Sequence, residues 1–158
     1  MEKEVSIQKL YDEYRKKYAL PSFQELDHEC ELSTIEVKEP FFLRQVARKV
    51  EERLSFFHDI FSEVLNPDVA SVASLHESRF FTDEEKTEFF IFFQKLMVAQ
   101  RSLLEADTLL DDKMYAETIL FVWKNYPEFK KGTLSILKRM KEIWETNLDP
   151  KEQLGYFG

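Results

Sequence analysis

Few residues in this chain have the means to do chemistry. Glu25-Leu26-Asp27-His28 has the Glu-x-x-His spacing with which helical side chains three apart reach one metal. A carboxylate-bridged metal site needs a second such pair and two further glutamates. His58 has Ser55 three residues before it and His76 has Ala73, so neither completes the set. His28 and Cys30 offer two soft ligands one residue apart, and no spacing in the chain names the other two that zinc requires. As a nucleophile, Cys30 would need a base and an oxyanion site, with only His28 close in sequence. The ordinary explanation is an exposed histidine in an acidic stretch beside a small buried thiol. No catalytic residue, metal or cofactor is expected.

Arg44 and Arg48 lie one helical turn apart with Lys49 and Arg53 alongside, a grouping that could hold an anion. Side chains so placed more often pair with nearby acids such as Glu51 and Glu52. His58 and His76 sit beside apolar stripes, where hydrogen-bonded core histidines are usual. The chain contains no Gly-rich phosphate loop, no Gly-x-Ser-x-Gly and no paired Cys-x-x-Cys. An enzyme with a metal or carboxylate site is therefore only the third reading of function.

Interaction is better supplied with residues. On the stretch from Thr82 to Asp112, Ile91, Val98 and Leu109 form a narrow apolar line opposite the Phe93–Met97 side. Tyr11, Tyr14 and Tyr18 form a series on the first helix, and tyrosine suits a surface that is wet on one side. Tyr156 and Phe157, between two glycines, could act as a docking peptide or close one end of the fold. These eight residues are the candidate interaction surface. Protein–protein interaction or assembly, with self-association or a protein partner, is the first expectation. The alternative is a small-molecule or lipid-type binder using a core rich in phenylalanine, of which there are 15.

The elements that must position these residues are helical. Thr82 with Glu85 forms a capping box, and Asp83 and Glu84 suit the positive end of a helix dipole. Phe92, Leu96, Ala99, Leu103, Ala106 and Leu110 follow as a helical stripe, widened by Phe89, Phe93, Met97 and Leu104. A long helix over 40–65 carries Leu43, Val50, Phe57 and Val64 at seven-residue steps, with Ala47, Leu54 and Phe61 beside them. Pro127 opens a third long helix to residue 146, burying Leu134, Leu137, Met140 and Trp144.

Shorter helices fill the intervals. One runs over 4–18, one opens at the Ser22–Glu25 capping box, and one starts at Asn66-Pro67 with Val69, Val72, Ala73 and His76 inward. Another covers 112–126, facing inward with Tyr115, Ile119, Val122, Trp123 and Tyr126. Ile35 and Val37 alternate with polar neighbours, which predicts an extended segment over 32–39. The whole reads as one all-α domain over 1–158, a bundle of three long amphipathic helices with shorter flanking helices. It divides into an N-terminal helix and acidic strap (1–39), a helical core (40–147) and a tail (148–158).

Composition narrows the partners. A net charge of −8 with no strongly basic segment gives no electrostatic footprint for nucleic acid. No apolar run is long enough for a membrane span, and the first residues lack a signal-peptide pattern. A single cysteine suits a reducing interior, so a cytoplasmic protein is expected.

Overall fold

The computed structural model describes residues 6–36 and 40–146. Among these, every regular element is helical. The order is α1 (Ile7–Tyr18), α2 (Phe23–Cys30), a 3-10 turn (Leu32–Thr34), α3 (Phe42–Leu65), α4 (Val72–Ser78), α5 (Asp83–Leu109) and α6 (Asp112–Glu145). No helix among them is long and apolar enough to cross a membrane.

Two compact units can be distinguished, and each long helix contributes a segment to both. The first takes residues up to Phe56 together with Lys95–Pro127. Its core joins Leu10 and Tyr11 of α1, Leu26 and Cys30 of α2, and Leu43, Val50 and Leu54 of α3. Leu96, Ala99, Leu103 and Ala106 of α5 and Tyr115, Ile119, Val122 and Tyr126 of α6 complete it. The second unit takes Phe57–Gln94 and the residues from Glu128 onward. There the Phe61 ring lies 6.1 Å from that of Phe89 and 5.9 Å from that of Phe92, and Phe57 lies 6.4 Å from Phe129.

Local chemistry explains the helix starts. Ser22 Oγ accepts from Glu25 N at 3.3 Å while the Glu25 carboxylate accepts from Ser22 N at 3.2 Å, a closed capping box. Thr82 and Glu85 repeat it at α5, at 3.2 and 2.8 Å. In α3 all seven residues of the paired seven-residue stripes are buried.

Four expectations need correction. Pro127 does not separate two helices but lies inside α6, which runs unbroken for 34 residues. Proline withdraws the N–H that the Trp123 carbonyl would have received, at a cost of ~3 kcal/mol. Burial of Tyr126 and Phe129 on either side offsets it. Beyond Pro127 the inward positions are Phe129, Ile136 and Ile143. Leu134 and Trp144 are exposed, and Leu137 and Met140 only half-buried, because that face is turned away from the core.

Asn66-Pro67 forms a turn, and α4 starts later, where Ser71 Oγ accepts from Ser74 N. Its inward residues are Ser74, His76 and Ser78, while Val69, Val72 and Ala73 face out. The segment after Cys30 is not extended throughout. Glu31 adopts a left-handed φ of 55° and the chain tightens into the 3-10 turn, held by Asp27 Oδ1 accepting from Ser33 N at 2.6 Å. Val37 lies outside the described residues. On α5, finally, Leu104 and Leu110 are exposed and Phe93 is half-buried, so the inward stripe is narrower than its apolar content implies.

Candidate interaction site

The apolar line on α5 faces outward. Ile91 is 51% exposed, Val98 55% and Leu109 61%, whereas Leu96, Ala99, Leu103 and Ala106 of the same helix are buried. Within the first unit, the eleven residues from Val98 to Leu109 return to nearly one direction at 100° per residue. In the second unit Phe90 adds exposed aromatic surface beside Ile91, its ring 6.3 Å from that of Phe93.

In the first unit the line ends at an open groove of about 530 Å³. Phe41, Leu109 and Leu110 supply apolar walls, and Arg44, Asp112 and Tyr115 supply polar ones. Leu110 holds a left-handed φ of 52°. That conformation costs a residue with a Cβ roughly 1–2 kcal/mol. Asp111 follows, its Oδ1 accepting from Lys113 N at 2.8 Å, so the connection from α5 to α6 is a left-handed residue and a cap. Sequence reasoning missed Phe41 and Leu110. Phe41 precedes α3 and belongs to no periodic face, and Leu110 continues the buried stripe in sequence while the backbone turns it out.

Beside the groove, a polar cluster ties α3, α5 and α6 together. The Asp107 carboxylate accepts from Tyr115 Oη at 2.5 Å, pairs with Arg48 at 2.7 Å and lies 3.6 Å from Arg44 Nε. Burial, then the neighbouring Asp107 carboxylate, pushes the Tyr115 hydroxyl up to about 12. Arg48 also pairs with Glu51, and Lys49 with Glu52. Arg53 Nε donates to Tyr126 Oη at 3.0 Å, and that hydroxyl donates to Glu29 at 2.5 Å. The basic group of α3 is thus engaged with acids and a phenol rather than gathered around one anion.

The tyrosine series divides. Tyr11 is fully buried, its hydroxyl donating to the Pro21 carbonyl at 2.9 Å and its ring edge-on to Phe23 at 5.6 Å. It anchors α1 and presents no outer surface. Tyr14 is half-buried, its ring 5.6 Å from Phe42, and Tyr18 is half-exposed beneath the Lys17 ammonium. Tyr156 and Phe157 lie outside the described residues.

The candidate ligands and nucleophile sit in different surroundings. His28 is exposed while Cys30 is buried, and burial pushes the Cys30 thiol up to about 12. A thiol so protonated is a poor nucleophile at neutral pH. Glu25 is engaged in its capping box. His58 Nδ1 lies 3.2 Å from Asp59, with its ring 5.2 Å from that of Phe93. Among the described residues, no three His, Cys, Asp or Glu side chains come together as a metal site would need.

Neither a family model, nor a curated protein, nor a solved structure matches this chain.

Proposed function

We propose that this chain is a non-catalytic, cytoplasmic assembly protein that associates with a second copy of itself through the outward face of α5. The observation that carries the reading is the exposure of Ile91, Val98 and Leu109 on a helix whose opposite face is buried. Exposed apolar patches larger than a few hundred Å² are rare on monomeric proteins and mark interaction sites. The polar clusters support the same reading, since their charged groups are paired with one another. The Phe-rich interior is a weaker candidate for a ligand site, because at Gly132 the Phe61 and Phe92 rings leave no free space. A Cβ added at Gly132 would meet Phe61 Cζ at 2.9 Å.

Sedimentation velocity at micromolar concentration tests the proposal. The wild type should sediment as a dimer or larger. Ile91→Glu combined with Val98→Glu should shift it to monomer with its circular dichroism unchanged. A monomeric wild type would end the self-association reading.

A further inference from the structure

We propose that His76, hydrogen-bonded by Arg79 within α4 and packed on Trp144, is an acid-released latch that holds α4 against the C-terminal end of α6 in the second unit. His76 is 2% exposed. Its ring lies edge-on to Phe80 at 5.2 Å and tilted against Trp144 of α6 at 4.9 Å. Its Nδ1 is 2.7 Å from Arg79 Nη2. A guanidinium can only donate, so at this distance Nδ1 accepts, and the ring is neutral with its proton on Nε2. The surrounding contacts converge on the same place. Trp144 Nε1 donates to Glu77 Oε1 at 2.9 Å, and Ser74 Oγ donates to Glu63 of α3 at 2.9 Å. Arg139 of α6 pairs with Glu85 of α5 and donates to the Phe80 carbonyl.

Adding a proton to Nδ1 removes the acceptor and sets two cations at hydrogen-bond distance beside the Phe80 and Trp144 rings. Among the described residues, the charged groups acting on the imidazole are Arg79, which opposes its protonation, and Glu77, which favours it. Across from them α6 presents the neutral indole of Trp144. Burial first, then Arg79, outweighs Glu77, so the folded imidazole titrates below its ordinary 6.5. The folded state therefore prefers the neutral ring. The latch contributes fully above about 6.5 and loses that contribution as pH falls below it. Histidine is the side chain whose ordinary titration lies within the range of cellular pH changes, which makes this contact a switch rather than a fixed bond.

The test uses the full chain with Trp123→Phe, which leaves Trp144 as the only indole. Its fluorescence is followed from about pH 7.5 to about pH 5, spanning the histidine range. On acidification Trp144 emission should shift to the red and iodide quenching should increase, reversibly, with most helicity retained. In His76→Gln, whose amide oxygen accepts from Arg79 at any pH, the emission should stay flat. In Arg79→Gln, which removes the opposing cation, the transition should move to higher pH. A flat profile in the parent, or a parental transition that persists in His76→Gln, would overturn the latch. If His76→Gln does not fold, Arg79→Gln decides, and an unmoved midpoint there overturns it equally.

Discussion

Phe61 and Phe93 show how much a single residue's surroundings decide. Phe61 is enclosed by the rings of Phe89 and Phe92 and by the backbone at Gly132. Phe93 is half-buried, touching His58 and Phe90 with ring separations of 5.2 and 6.3 Å. Truncation costs follow burial, so Phe61→Ala should lose about 3–5 kcal/mol and Phe93→Ala only about 1–2 kcal/mol. Urea unfolding of the two variants measures the difference, and equal losses would place Phe93 in the core after all. The sequence marks Phe61 unambiguously through the seven-residue stripes of α3. It cannot rank Phe93, because Phe89-Phe90 and Phe92-Phe93 put aromatic rings on several sides of α5 at once. Cys30 is similar: a lone cysteine reads the same in sequence whether reactive or inert, and only its burial decides.

At the scale of elements, legibility follows periodicity and caps. α3 and the start of α5 could be read because one apolar face and one capping box each pointed to a single answer. α6 could not, for two reasons. Pro127 imitates a helix boundary, and Leu134, Leu137 and Trp144 are as apolar as Phe129, Ile136 and Ile143, so the inward phase was ambiguous. α4 was legible only at His76, which is buried as expected. The rest of its inward face is Ser74 and Ser78, polar residues that hydrophobic patterning passes over, while Val69, Val72 and Ala73 face out. The α5–α6 connection allows a test that separates stability from association. Leu110 holds its left-handed backbone with its side chain 55% exposed, so strain is kept without a burial gain to match it. Leu110→Gly should raise stability by roughly 0.5–1 kcal/mol, as expected for glycine at a left-handed helix end. Since Leu110 adjoins Leu109 at the groove, the same variant should weaken self-association. Thermal melting and sedimentation on one sample read both effects. A variant that melts lower would show that the Leu110 side chain packs on the fold.

For the whole molecule, charge and apolar surface act in opposite directions, and their balance identifies what drives assembly. Each copy carries −8, so two copies approaching one another repel over distances set by the ionic atmosphere. At about 20 mM salt that repulsion extends tens of ångströms, and at about 0.5 M it is confined to a few. The proposed contact on α5 is made by Ile91, Val98 and Leu109, whose burial gains nothing from ion pairing and is little affected by screening. Self-association should therefore strengthen as sodium chloride rises through that range, by screening the repulsion while leaving the apolar contact intact. An interface built on salt bridges between copies would behave in the opposite sense and weaken with salt. Sedimentation equilibrium across the series distinguishes the two. A dimer that dissociates at high salt would move the interface away from α5 and onto the charged surfaces around Arg48 and Lys49.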